Sequence, residues 1–360
     1  GLDIAVIDPH SAEELSNPPF DGREIALTHP SKHILEDLGI WQGFAEDEIY
    51  FLREAKVVNG DSPYQLHFAL PPTDSKKRPI DTLGYLVSNH NIRRAAYATA
   101  QKQHNLHWFL QEKVVHSTSD AQRASVTLSN GTQLYAPLLV AASVRRQMGI
   151  VCDMHDFGRT VLVFRLEHSI SNDHTAFECF FYGSTLALLP LTDHITNCVI
   201  TIDSRKVHTL TSLAPQALAD HVAAQVQHRF GEMRLISEVC DYPLMGTHAR
   251  RFHATRCALI GDAACGMHPV TAHGYNLRLQ SQEILARLIL RQHGQGKDIG
   301  ADNMLAAYTR QHQRNTLPLY HGTNLIVKLF TRETPIAKVV RGGVLRVSNK
   351  LPFLKTIITR

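Results

Sequence analysis

At 360 residues, with 44% hydrophobic and 19% charged side chains, the chain can bury a sizeable core, either as two domains or as one large α/β unit with an inserted layer. This composition sets aside disorder, collagen and coiled coil, and six scattered cysteines without a C-x-x-C pair read as reduced residues of a cytoplasmic protein. The net charge of +4 names no partner, yet from Arg314 to Arg360 nine Lys/Arg stand against Glu333 alone, so this tail carries +8 and the rest about −4.

The opening "GLDIAVIDPH" has no basic segment ahead of an apolar stretch, and no apolar run is long enough to span a bilayer, so neither export nor a membrane span is expected. Leu2 to Asp8 reads as a buried parallel strand that ends in an acid. Ser31 to Leu38 has helical spacing with Ser31 as cap and Gly39 as stop. Alternation between Arg53 and Leu70 around Asn59-Gly60 predicts a hairpin, Pro71 to Pro79 a loop, and Asn89 to Gln103 a helix. A second meander follows over Val114 to Leu134, then a buried strand in "APLLVAA", 136–142. Between Thr160 and Asp203 four strand-like runs at close spacing predict an antiparallel sheet. Leu213 to Phe230 reads as helix, Ala258 to Asp262 as a buried strand, and helices dominate from Tyr275 onward. Parallel-type strands interleaved with antiparallel blocks predict a mixed α/β chain: a Rossmann-like nucleotide-binding domain (1–50, 84–150, 245–312) with a sheet domain threaded into it (51–83, 151–244) and a basic amphipathic tail, 313–360.

The stretch "ALIGDAACGMHPVTAHGYN", 258–276, concentrates the chemistry. A strand delivers Asp262 to its carboxyl end, where open α/β sheets place ligands, and a carboxylate there can accept hydrogen bonds from sugar or sugar-alcohol hydroxyls. Ala263, Ala264 and Gly266 are small enough for a ligand to approach the backbone. Pro269 sets the turn, and Gly274 and Asn276 open a helix whose free N–H groups favour negative charge. These properties suit the ribityl chain and ring edge of a flavin. A short Gly-Asp alone reads as a helix cap followed by a Pro turn, and only the longer string favours a ligand site. His268 and His273 lie on a turn without Cys or acid at ligand spacing, so no metal site is expected. No aromatic-plus-basic stripe or zinc knuckle supports nucleic acid.

"GDAACGMHPVTAHGYNL" resembles the second flavin-binding signature of the class A flavoprotein aromatic monooxygenases, specifically the ubiquinone-biosynthesis hydroxylases. Segments 20–41, 83–97 and 145–150 agree with it, and "HPVTAHG" with "DMHDFGRTV" (153–161) resembles the demethoxyubiquinol 5-hydroxylase branch. The resemblance implies that Asp262 binds the ribityl hydroxyls of FAD, that Pro269 borders the ring, and that Gly274 and Asn276 lie beside its pyrimidine part. It further implies that Asp8 takes the adenosine ribose, that Arg23 of the R-x-x-A-L element lies near the cofactor, and that Asn89 and Arg93 stand on a helix flanking it; for Arg93 a solvated helix face is the competing reading. NAD(P)H would be the electron donor and the ring of a polyprenyl phenol or quinol the substrate. The sheet domain would cover the pocket, and the basic tail would meet the inner face of the membrane or sister enzymes of ubiquinone biosynthesis.

Three departures from that pattern stand out. No Gly-x-Gly-x-x-Gly precedes Asp8, so the first strand and phosphate loop of a dinucleotide fold are absent from these 360 residues. "LLVAA" runs into "SVRRQMGI" without the acidic segment usual after that strand. The flavin helix reads "NLRL" where the family has "NLGL", which places Arg278 in a close contact and predicts a clash or a reorientation. Two alternatives therefore stay open: a flavin-free scaffold in a ubiquinone-biosynthesis assembly, and a hydroxylase of a soluble aromatic compound.

Overall fold

The strand-forming runs Cys152–His168, Thr175–Phe181, Ser184–Thr192 and Ile195–Asp203 pair as antiparallel strands, the centre of a nine-stranded sheet. The computed structural model of the chain describes residues 1–59, 65–71, 73, 79–142, 150–181, 183–266 and 273–331, with backbone alone at 59, 273, 321 and 323–331. The sheet is extended by Glu54–Asn59, which runs parallel to Thr175–Phe181, by Gln65–Phe68, and on the other side by Cys240–Ala249. One face is a closed core. Leu162, Phe164, Leu186, Leu188 and Ile200 pack there against Leu218 and Val222 of the helix Pro215–Gln225.

The rest of the chain supplies smaller layers. Ile4–Asp8 pairs parallel with Leu106–Leu110, and Leu139–Ala141 pairs parallel with Cys257–Leu259. Gly84–Ser88, buried along its whole length, is the middle strand between Glu24–Leu27 and Tyr50–Leu52. Val114–Ser119, Ala124–Leu128 and Gln133–Ala136 form the expected meander. The helices His273–Gly294 and Asp302–Thr331 pack on a second core around Leu259, Phe252, Leu285 and Tyr308, where the Tyr308 hydroxyl donates to the Leu259 carbonyl at 2.7 Å.

The mixed α/β architecture is as expected; several boundaries and burial states differ. Strand Ile4–Asp8 is only half-buried, with Ile4 46% exposed, and Val140 is 41% exposed, because each strand has a single neighbour among the described residues. The first long helix starts at His29 rather than at Ser31. Thr28 is the cap, its hydroxyl accepting from the Ser31 N–H, while Ser31 is fully buried inside the first turn. The helix expected over 213–230 spans Pro215–Gln225, and Gln227 and His228 turn left-handed after it. The tail beyond Thr331, the Asn59-Gly60 turn past Asn59, and most of Pro71–Pro79 lie outside the described residues. Phe164 is fully buried in the sheet core: Phe164→Ala is expected to remove about 3–5 kcal/mol, read as a lower urea midpoint with an unchanged m-value.

Candidate active site

Two acids stand at the carboxyl ends of parallel strands. Asp8 closes Ile4–Asp8, and its Oδ1 accepts from the His10 backbone N–H at 2.9 Å and faces the His10 ring at 2.8 Å. Asp262, expected as the last residue of a strand, lies instead in the single helical turn Gly261–Ala264; Gly261 at φ +59° makes the bend that follows Cys257–Leu259. Its carboxylate is more than half exposed, and Arg278 reaches it with a 2.5 Å ion pair. The predicted clash of Arg278 is thus resolved by reorientation. Arg278 lies one turn beyond Gly274, and a Cβ on Gly274 would sit 3.7 Å from its guanidinium, an ordinary contact.

Three other expectations change. Ala263 and Ala264 are 0% and 1% exposed and fill the second core, so they offer no surface to a ligand. Gly266 is tight against protein: its N–H donates to Thr247 Oγ1, and a Cβ there would lie 2.6 Å from that oxygen. Asn276 is buried and turned to strand Glu24–Leu27, donating to the Ala26 carbonyl at 2.8 Å and accepting from the Thr28 N–H at 3.0 Å. It therefore docks the helix His273–Gly294 on that strand. Pro269 and the segment 143–149 lie outside the described residues.

Arg23 and Asn89 are brought together by a residue that pattern reading did not single out. Asp21 receives Arg23 through Nε at 3.0 Å and NH2 at 2.6 Å, and Asn89 Nδ2 at 2.7 Å, while the Tyr242 hydroxyl donates to its carbonyl at 2.6 Å. Burial by itself would raise the Asp21 carboxyl; the hydrogen bonds and charge of Arg23, with Asn89, hold it below the usual range. Next to it Glu24, fully buried, accepts from Ser88 Oγ and forms a 2.5 Å ion pair with Arg165 of the large sheet. Burial raises the Glu24 carboxyl more than Arg165 and Ser88 lower it. Arg165 also stacks on Phe20 at 4.7 Å. Sequence held little signal for this pair: Glu24 opens the short strand "EIAL", but Arg165 shares its strand with Asp153, Asp156, Arg159 and Glu167, so its charge does not stand out.

Asp262 just past a strand end and the amino end of a long helix beyond it fit the ribityl half of a flavin. Arg93 lies on the helix Asn89–Ala100 and is half-buried.

Residues 1–315 match the protein family described as an FAD binding domain. Ubiquinone hydroxylase UbiM of Neisseria meningitidis is 51% identical over all of this chain and 79% of its own length. Ubiquinone hydroxylase UbiL of Rhodospirillum rubrum is 30% identical over all of this chain and 83% of its own. Among solved structures, p-nitrophenol 4-monooxygenase PnpA from Pseudomonas putida shares the fold at TM-score 0.75 and 14% identity, covering 100% of this chain and 90% of its own. PqsL from Pseudomonas aeruginosa does so at 0.69 and 15%, covering 89% and 86%.

The Glu24–Arg165 pair makes a sharp prediction. Arg165→Met strands a buried carboxylate and is expected to cost about 3–5 kcal/mol at neutral pH. A carboxyl whose folded pKa is raised favours the protonated native state, so its stabilisation is present at low pH and is lost as pH rises past its unfolded value near 4.3. Removing Arg165 enlarges that raise. Denaturation midpoints of the variant should therefore recover toward the parent as pH falls from 7 to about 5.

Proposed function

Because the chain belongs to the FAD-binding flavoprotein family that includes the ubiquinone hydroxylases, we propose that it binds FAD and, with NAD(P)H and O2, hydroxylates the ring of a polyprenylated phenol or quinol in ubiquinone biosynthesis. The observation that carries this reading is 51% identity across the whole chain to a ubiquinone hydroxylase. The flavin, when bound, supplies the redox and oxygen chemistry. Asp262 accepts from ribityl hydroxyls and Asp8 from the adenosine ribose. Asp21 holds Arg23 and Asn89 in fixed orientations at the amino end of the helix Asn89–Ala100, a place suited to the anionic part of the cofactor. Gly274 lies at the start of the helix on the ring side, and Asn276 keeps that helix docked. Segments 1–50, 84–150 and 245–312 make up the cofactor-holding part, and 51–83 with 151–244 the substrate-holding part. No helix among the described residues is long and apolar enough to cross a membrane. The basic, apolar composition of Arg314–Arg360 suits contact with the bilayer surface where a lipid-tailed substrate resides.

One observation supports the flavin-free scaffold: Arg278 occupies the carboxylate that should receive the ribityl chain. Titration with FAD, read by quenching of flavin fluorescence, separates the two. The parent chain is expected to bind FAD, and Asp262→Asn to weaken it by the roughly 1.5–3 kcal/mol of a charged hydrogen bond, tenfold to a hundredfold. If the parent takes up no FAD while Arg278→Gln does, the scaffold reading holds and the enzyme reading fails.

A further inference from the structure

Asp262 and Arg278 meet at one carboxylate oxygen. NH2 of Arg278 stands 2.5 Å from Asp262 Oδ1, and the guanidinium lies over the first turn of the helix His273–Gly294, where a Cβ on Gly274 would be 3.7 Å from NH2. The pair is loosely held. The Asp262 side chain is 57% exposed and that of Arg278 29%. Nε of Arg278 is buried and makes no hydrogen bond, so the Nε–NH2 edge of the guanidinium does not grip the carboxylate bidentately. An ion pair of this kind adds little to stability. A guanidinium has five N–H donors, and one held in this way keeps donors for a second anion.

The covalent structure of a flavin nucleotide decides which anion that is. The hydroxyl-bearing carbons of the ribityl chain lead directly to the carbon that carries the phosphate. A carboxylate that accepts from those hydroxyls therefore stands only a few bonds away from a phosphate. Two anions so close repel each other, the more so in a partly buried site, and need a cation between them. The guanidinium beside Asp262 is that cation. Its planar fork matches phosphate oxygens bidentately, and the amino end of the 22-residue helix adds a field of the same sign. Arg278 stands where the family signature has glycine, so this contact belongs to the present chain and not to the shared pattern.

We propose that Arg278 is the ligand of the phosphate joined to the ribityl chain, and that its guanidinium exchanges Asp262 for this phosphate as the ribityl hydroxyls take the carboxylate. The assignment rests on the reading of Asp262 as the ribityl acceptor. The ion pair is then no obstacle to the cofactor: it keeps the cation next to its target and neutralises the carboxylate until hydroxyls replace it. Removing Arg278 has opposite effects on two ligands. It frees the carboxylate for a ribityl chain without phosphate, and it deprives a phosphorylated one of its partner.

Riboflavin and FMN differ by that phosphate alone, and quenching of flavin fluorescence reports the binding of both. The parent chain is expected to bind FMN at least about tenfold more tightly than riboflavin. Arg278→Gln should lose about tenfold to a hundredfold in FMN affinity, as for a charged hydrogen bond, while riboflavin binds as it does to the parent or a few-fold tighter. Arg278→Lys should keep part of the preference, because the charge remains and the fork does not. The parent's preference should also shrink as ionic strength rises, and that of Arg278→Gln should respond less. Both variants should keep the parent's denaturation midpoint, since the pair is partly exposed. An FMN-to-riboflavin ratio that is the same in the parent and Arg278→Gln overturns the assignment, as does a parent that binds FMN no more tightly than riboflavin or binds neither. Asp262→Asn tests the underlying reading, and should weaken riboflavin and FMN together. If it weakens neither while Arg278→Gln still loses FMN, the phosphate contact stands and the ribityl assignment of Asp262 falls.

Discussion

The fully buried carboxylate of Glu24, held by Arg165 and Ser88, is the constraint on which the two halves of the molecule depend. It joins the strand Glu24–Leu27 to the central strand of the large sheet across a low-dielectric seam, where neither charge is tolerable alone. Hydrophobic packing could bring these layers together in several relative positions, because apolar contacts are non-directional. An ion pair with a serine hydroxyl on the same carboxylate has one workable geometry. Around it sit Phe20 stacked on Arg165 and Tyr242 bonded to the Asp21 carbonyl, so the seam is polar at its centre and aromatic at its margin.

That seam also fixes several of the candidate site residues relative to one another. Asp21, three residues before Glu24 on the same approach, gathers Arg23 and Asn89. The strand that carries Glu24 also receives Asn276, so the helix His273–Gly294 is docked through the backbone of Ala26 and Thr28. Arg278, two residues on, then lies within reach of Asp262. On the sheet face opposite the main core, Val161 and Val163 pack with Leu244 into a smaller cluster bordered by Tyr242.

Much of the fold was legible from pattern. The meander over Val114–Ala136 and the antiparallel run from Thr160 to Asp203 follow from period-two alternation with turn residues between, which local sterics enforce whatever the surroundings. The carboxyl-end position of Asp8 was equally readable. What failed were burial and end-points. Strand Ile4–Asp8 is apolar but half-buried, because burial is a property of neighbours. The cap at Thr28 displaced Ser31 because two adequate hydroxyls were present, and the core claimed one of them.

The sequence by itself determined the alternation of strands and the family signature around Asp262, since each of these is written within a few residues of chain. Only the tertiary structure decided that Asn276 docks a helix, that Ala263 and Ala264 fill a core, and that Arg278 turns to Asp262. Those facts depend on which groups meet across separations of up to 250 residues, as between Ala26 and Asn276. A hydrogen bond or ion pair is defined by the position of both partners, and local pattern specifies only one of them.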